Sequence, residues 1–131
     1  MTDQAVDELI DAARRGQHHA HAPYSKFAVG AALRCSTGEV YTGVNVENAS
    51  YGLTICAERV AVAKAVSEGH RGFDAMAIVL GGKGTPVPCG ACCQVLAEFC
   101  PQDFPLYLVS NRGVAERRLS DLLPSPFRLG E

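Results

Sequence analysis

Three stretches of the chain have the sequence features of helices, and two of them carry apolar residues at the three-to-four-residue spacing of an amphipathic helix. The first begins after Thr2, a residue type that caps helices, and runs to about His19. The second covers residues 57–68, contains neither Gly nor Pro, and is followed by Gly69, a residue type that commonly ends helices. The third ends before Pro101. Its repeating face consists of Cys92, Val95, Leu96 and Phe99.

Four shorter apolar segments have the length and composition of β-strands. Residues 27–35 and 40–46 flank the turn-forming sequence Ser36-Thr37-Gly38, so we expect them to form a hairpin. Residues 75–80 and 106–109 lie next to the predicted helices and are apolar throughout, as buried strands are. The order helix, strand, strand, helix, strand, helix, strand predicts a three-layer α/β/α sandwich around a mixed β-sheet.

Composition limits what such a chain can do. It has 131 residues, 47% of them hydrophobic, which is enough for one core but not for two, so a single domain over residues 1–131 is expected. The net charge of −2, without a basic run, disfavours nucleic acid as a partner and favours a small substrate. No apolar segment approaches the ~20 residues that span a bilayer. The acidic start differs from a secretory signal, which favours the reducing cytoplasm.

Two short cysteine motifs are the main chemical feature of the chain. Cys56 precedes the second predicted helix, and Cys89 and Cys92 lie at the start of the third. Helix N-termini expose N–H groups and the positive end of the dipole, which favours thiolates over thiols. A catalytic zinc site keeps one of its four positions for water, whereas a structural site fills all four with protein ligands. Three thiolates therefore predict a catalytic Zn²⁺, and Glu58 is the candidate to move the protons of its water.

Other roles of these cysteines stay open at this point. Cys89 and Cys92 alone could form a redox dithiol, and a fourth protein ligand would make the zinc structural. A dithiol would leave Cys56 and Glu58 without a role, which favours catalytic zinc. The cysteines expected to be ordinary buried residues are Cys35, Cys93 and Cys100. The histidines expected in solvated loops are His18, His19, His21 and His70.

Four ordered motifs resemble those of the small homotetrameric cytidine deaminases, over nearly the whole chain. They are Pro23-Tyr24-Ser25-Lys26-Phe27-Ala28-Val29-Gly30-Ala31-Ala32, Gly43-Val44-Asn45-Val46-Glu47-Asn48, Cys56-Ala57-Glu58-Arg59 and Pro88-Cys89-Gly90-Ala91-Cys92. The resemblance implies zinc-dependent hydrolysis of cytidine and 2′-deoxycytidine to uridine and 2′-deoxyuridine, with release of ammonia, as in pyrimidine salvage. It also implies a homotetramer with active sites at subunit interfaces. Cys rather than His at position 56 is typical of members that act on free nucleosides.

The resemblance further implies a set of substrate contacts. Phe27 would stack on the pyrimidine, and the backbone of Ala57 would meet the edge of the base. Asn45 and Glu47 would hydrogen-bond the ribose, chiefly at its 3′-hydroxyl group. Glu47 favours the cytidine enzymes over deaminases of the blasticidin S type, which share the zinc motifs but act on a bulkier cytosine nucleoside antibiotic. The side chains that would reach a neighbouring subunit's site are Tyr51 and Phe127.

One position departs from the family pattern. Relatives usually have Arg directly after the Pro-Cys-Gly-x-Cys motif, and arginines near the zinc offset the negative charge of its thiolates by hydrogen-bonding the sulfur atoms. This chain has Cys93 at that position. Arg59 is then the only arginine beside a cysteine ligand, and we expect the charge balance of the site to depend on it.

Overall fold

Five strands form one mixed sheet that helices cover on both faces. The computed structural model describes residues 1–82 and 84–130. Its elements are α1 (Asp3–Gln17), β1 (Val29–Cys35), β2 (Val40–Val44), a 3₁₀ turn (Tyr51–Leu53), α2 (Ala57–Ser67), β3 (Phe73–Leu80), α3 (Gly90–Phe99), β4 (Pro105–Ser110), β5 (Gly113–Arg118) and α4 (Leu119–Leu122). Within these described ranges, no helix has the length and apolar character needed to cross a membrane.

The strand order in the sheet is β2-β1-β3-β4-β5. Strands β3 and β4 run parallel, whereas all other neighbouring strands are antiparallel. Helix α3 connects the parallel pair, as a crossover between parallel strands requires. The mixed sheet, the β1–β2 hairpin and the three layers agree with the architecture predicted from the order of elements.

The two faces of the sheet bury side chains of different size. Alternate residues of each strand point to opposite faces. Helix α1 covers a face built mostly from small residues, and the sheet contributes Ala32, Ala75, Ala77, Val79 and Val109 to it. Helices α2 and α3 cover the other face, where the sheet contributes Ala31, Leu33, Cys35, Met76, Ile78, Leu106 and Leu108. The larger core therefore lies beneath the two helices that carry the cysteine motifs.

Several element boundaries differ from the sequence prediction. Strand β2 ends at Val44 because the side chain of Asn45 hydrogen-bonds the backbone of Phe27 and Val29, at the entrance to β1. For the same reason β1 begins at Val29 and not at Phe27. Strand β5 and the single-turn helix α4 were not predicted. Strand β5 is a mostly exposed edge strand with a polar sequence, so it lacks the apolar alternation that identifies a strand.

Helix α2 lies directly on strand β2 at Gly43. A Cβ atom added to Gly43 would lie 2.3 Å from the carbonyl oxygen of Ala57 and 2.5 Å from the backbone nitrogen of Ala61. Real Cβ atoms do not approach backbone so closely, so any side chain here would push the first turn of α2 away from the sheet. Since Cys56 is the N-cap of this helix, the contact at Gly43 fixes where its sulfur lies.

We expect Gly43→Ala to displace the start of α2, lower the free energy of unfolding by about 1–3 kcal/mol, and reduce bound zinc. Thermal unfolding and zinc determination on the same sample would measure both effects. Gly52→Ala is the matched control, because an added Cβ there meets no atom within 4 Å. Wild-type zinc content and stability in Gly43→Ala would show that the contact does not position the site.

Candidate active site

Two helix N-termini meet beside the sheet and bring three thiols together. Cys56 is the N-cap of α2, Cys89 is the N-cap of α3, and Cys92 lies in the first turn of α3. Their Sγ atoms all lie within 4.8 Å of one another, and those of Cys89 and Cys92 are 3.5 Å apart. Neither N-cap side chain caps a backbone N–H group of its own helix. The three sulfur atoms therefore lie close enough together to share one ligand.

This donor set fits a zinc ion. Tetrahedral Zn–S bonds of about 2.3 Å place sulfur atoms about 3.8 Å apart, close to the spacing of the cluster. Three sulfur ligands would leave one position open, as catalytic zinc requires. Among the described residues, no histidine belongs to the cluster, and His18, His19 and His21 are exposed as predicted. The prediction was wrong for His70, whose side chain is only 16% exposed because it packs against Tyr41 and lies beside Glu39.

The surroundings of Cys56 favour its thiolate form. The hydrogen bond with Cys92 and then the Arg59 guanidinium lower the pKa of Cys56 to about 5. The same hydrogen bond, followed by burial, raises the pKa of Cys92, because this thiol keeps the proton that the pair shares. Nη2 of Arg59 lies 3.7 Å from the sulfur of Cys56 and 3.4 Å from the carbonyl oxygen of Thr54. The structure thus places the predicted arginine beside a thiol of the cluster.

Cys93 stands where the family pattern predicts an arginine, and it is a buried thiol. Its side chain is buried in the main core, and its thiol donates a hydrogen bond to the carbonyl oxygen of Pro88 at 3.7 Å. Burial, followed by the charges of Cys89 and Glu58, raises the pKa of Cys93, so it stays a neutral thiol. It therefore adds no positive charge to the site. The other two cysteines predicted to be buried, Cys35 and Cys100, are buried.

Glu58 lies in the first turn of α2 and is only 6% exposed. Burial is the main cause that raises its pKa, and the negative charge of Cys56 raises it further. A carboxyl group whose pKa is shifted upward binds and releases protons closer to neutral pH than an exposed glutamate does. Its position beside the thiols and its raised pKa suit a group that transfers protons during catalysis.

A cavity of about 290 Å³ opens beside the thiols. Its volume is at the lower end of the range for sites that bind small molecules. The lining residues that the sequence predicted are Asn45, Glu47, Cys56, Ala57, Glu58 and Cys89. Those that it missed are Val29, Thr54, Ile78, Leu80, Pro86 and Val87. Most of the missed residues form an apolar wall, and an apolar residue in a predicted strand gives no sign that it borders a cavity.

Two polar residues of the cavity are already bonded to the neighbouring loop. The side chain of Asn45 accepts a hydrogen bond from the N–H of Val29 at 2.9 Å and donates to the carbonyl oxygen of Phe27 at 2.7 Å. The carboxylate of Glu47 accepts from the backbone N–H groups of Tyr24 and Ser25. These bonds hold both side chains at the cavity in the absence of any ligand.

Three predicted substrate residues do not line this cavity. Phe27, Tyr51 and Phe127 are 58%, 76% and 69% exposed, respectively. Tyr51 lines an adjoining cavity that shares Glu47 with the first. The backbone of Phe127 is bound on both sides by the side-chain amide of Gln94, which donates to its carbonyl oxygen at 2.8 Å and accepts from its N–H at 3.0 Å. Within one chain, therefore, these aromatic rings are presented outward.

Three thiols at two helix N-termini, with a buried carboxyl group beside a small cavity, define a zinc hydrolase site on an α/β/α sandwich. A sequence model of the cytidine and deoxycytidylate deaminase zinc-binding region matches residues 3–108. The chain belongs to this deaminase family. The family, fold and zinc cofactor predicted from the sequence are confirmed.

Individual relatives agree with this assignment. The cytidine deaminase of Halalkalibacterium halodurans is 51% identical over 91% of each chain. The crystal structure of cytidine deaminase from Burkholderia pseudomallei is similar with a TM-score of 0.88 and 45% identity, over 97% of this chain and 100% of that one. The blasticidin-S deaminase of Bacillus cereus is 32% identical over 76% of each chain.

We expect Arg59→Ala to reduce zinc affinity or turnover about 10- to 100-fold, the usual effect of losing a group that hydrogen-bonds a metal ligand. Three thiolates on Zn²⁺ leave a net charge of −1, and this change removes the cation that lies beside them. Zinc competition with a chromophoric chelator and steady-state kinetics would measure the two effects.

The matched control is Arg71→Ala, because the guanidinium of Arg71 donates to backbone carbonyl groups at the far end of α2, away from the thiols. Normal zinc affinity together with normal activity in Arg59→Ala would contradict the charge-balance explanation.

Proposed function

We propose that this chain hydrolyses the exocyclic amino group of cytidine and 2′-deoxycytidine, producing uridine or 2′-deoxyuridine and ammonia. The observation that carries the proposal is the buried carboxyl group of Glu58 beside the three-thiol cluster, at a cavity that also contains Asn45 and Glu47. Sequence identity to relatives named cytidine deaminase, which extends over most of both chains, supports the same reaction.

In this reaction the sulfur atoms of Cys56, Cys89 and Cys92 would hold the zinc ion. Bound zinc supplies a nucleophile at neutral pH, because it lowers the pKa of a coordinated water from 15.7 toward about 7. Glu58 accepts a proton as the nucleophile forms and delivers it to N3 of the cytosine ring as C4 is attacked. The same carboxylate then takes the proton of the new C4 hydroxyl group and delivers it to the amine, which leaves as ammonia while the C4 carbonyl group forms. Positioned proton transfer of this kind is worth about 10²–10⁴ in rate.

The cavity supports a nucleoside rather than a nucleotide as substrate. The carboxylate of Glu47 accepts hydrogen bonds and therefore suits a sugar hydroxyl group. Hydrogen bonds from Ser25 and Tyr24 lower the pKa of Glu47, which keeps it ionised at neutral pH. The described lining residues include two glutamates and no Lys or Arg. A phosphate would thus meet negative charge without a cationic partner, which is costly.

The outward-facing aromatic rings support an active site shared between copies of the chain. Phe127 is held to α3 through its backbone, while its ring remains exposed. Next to α3, the side chains of Val62, Val66 and Phe99 line an apolar groove that a second copy could cover. The proposal therefore includes a homotetramer of single-domain chains, with active sites at the subunit interfaces. It also places the enzyme in the cytoplasm, where it serves pyrimidine salvage.

A deaminase of the blasticidin S type is the second candidate, because one relative carries that name. The small cavity and the ionised Glu47 favour the cytidine assignment. Loss of absorbance with cytidine, measured beside blasticidin S on the same zinc-loaded sample, separates the two candidates. Preference for blasticidin S would overturn the proposed substrate but not the deaminase chemistry.

Replacing the proton-transfer group tests the mechanism. We expect Glu58→Gln to bind zinc normally, since no ligand is lost, and to lower kcat by at least about 10²-fold. Zinc stoichiometry and kcat on one preparation would establish both points. Glu98→Gln, on the exposed surface of α3, is the control for loss of a glutamate elsewhere. Wild-type turnover in Glu58→Gln would remove this residue from the mechanism.

Substrate comparison tests the assignment of the cavity. We expect cytidine and 2′-deoxycytidine both to be deaminated, because both carry the 3′-hydroxyl group. CMP should have a kcat/KM at least about 100-fold lower, which corresponds to about 2.7 kcal/mol for placing a phosphate among unpaired negative charges. Efficient deamination of CMP, or of cytosine in an oligonucleotide, would contradict the proposed pocket.

A further inference from the structure

The exposed loop before β1 surrounds the carboxylate of Glu47 with hydrogen-bond donors. Oε1 of Glu47 accepts from the N–H of Tyr24 at 3.0 Å and from the N–H of Ser25 at 3.1 Å. Oε2 accepts from the hydroxyl group of Ser25. Both oxygen atoms are therefore bound by the loop, and Ser25 contributes two of the three donors.

This arrangement leaves limited acceptor capacity on Glu47. A carboxylate has about four lone-pair positions that can accept hydrogen bonds. Three are taken by Tyr24 and Ser25, and Glu47 also lines the cavity beside the thiols. An ionised carboxylate only accepts, so the remaining position selects a ligand group that donates, such as a sugar hydroxyl.

The same serine also links Glu47 to Phe27. The N–H of Phe27 donates to the hydroxyl oxygen of Ser25 at 3.0 Å, so this hydroxyl accepts from one residue while it donates to the other. Lys26, between them, has a φ of 64°, a left-handed conformation that is unfavourable for a residue with a side chain. Residues 23–27 are all exposed. Because packing contributes little here, hydrogen bonds hold the loop in this conformation. Besides those of Ser25 and Tyr24, the N–H of Lys26 donates to the carbonyl oxygen of Ala22, and Asn45 donates to the carbonyl oxygen of Phe27.

We propose that Ser25 is a positioning residue for substrate recognition: its hydroxyl group orients the Glu47 carboxylate so that its remaining acceptor position receives the 3′-hydroxyl group of the nucleoside. This inference rests on the proposed nucleoside pocket and adds a residue that touches no substrate itself. Hydrogen bonding by Ser25 is also the main cause of the lowered pKa of Glu47, consistent with a carboxylate that stays ionised to accept a hydroxyl donor.

The test compares two substrates that differ only in the 3′-hydroxyl group, 2′-deoxycytidine and 2′,3′-dideoxycytidine. The readout is the ratio of their kcat/KM values on the same zinc-loaded enzyme, which does not depend on the fraction of active protein. We expect Ser25→Ala to lower this ratio about tenfold, because the KM for 2′-deoxycytidine rises. A tenfold change corresponds to the low end of the free energy of a hydrogen bond to a charged group. Ser25→Thr keeps the hydroxyl group and should restore the wild-type ratio.

Two further variants make the outcome unambiguous. Ser110→Ala is the matched control, because the hydroxyl group of Ser110 accepts from the N–H of Arg112 and lines neither of these two cavities. Glu47→Ala tests the carboxylate itself. A lowered ratio in Glu47→Ala together with a wild-type ratio in Ser25→Ala would overturn the role of Ser25 alone. An unchanged ratio in Glu47→Ala would overturn the assigned role of Glu47, and the inference about Ser25 with it.

A poorly folding Ser25→Ala would not prevent the test. Ser25→Cys retains a side chain of similar size, but a thiol is a weak donor. The ratio is expected to fall in this variant as well. A wild-type ratio in Ser25→Cys would then count against the proposal in the same way.

Discussion

The direct contact between α2 and β2 at Gly43 determines the geometry of the site. No side chain separates the two backbones there, so the first turn of the helix has one position on the sheet. That turn carries Cys56 at its N-cap and Glu58 as the second residue of the helix. A thiol and a proton-transfer group are thereby placed by one backbone contact, and α3 needs only to bring its own N-terminus to the same point.

Negative charge accumulates at this point, and the fold compensates it by several means. Two helix N-termini direct their dipoles toward the thiols, and Arg59 lies against Cys56. Burial disfavours the ionised form of Glu58, so this group carries a proton more readily than the partly exposed Glu47 does. Two carboxyl groups at one cavity are thus suited to different tasks, one to proton transfer and one to hydrogen bonding of a sugar.

The sequence predicted the site better than its surroundings, for physical reasons. Cys56 and Glu58 can share a site only if Cys56 precedes the helix, and the structure has it at the N-cap. The spacing of Cys56 and Glu58 along the chain was therefore sufficient to predict that Cys56 precedes the helix. Strand β5 depends on pairing with β4, and its charged sequence contains no local signal of that pairing. The positions of the Phe27 and Phe127 rings could not be predicted from local sequence either, because both rings point away from the chain that bears them.

The link between Gln94 and the C-terminal tail limits where the chain can vary in length. Gln94 holds the backbone of Phe127, and Arg128 donates to the carbonyl oxygen of Ala97 on the same helix. One residue inserted into α3 would turn these attachment points by about 100° around the helix axis relative to Cys89. An insertion between α4 and Phe127 would lengthen a connecting segment and leave both ends in place. Natural insertions and deletions in this part of the family should therefore be concentrated in that connection.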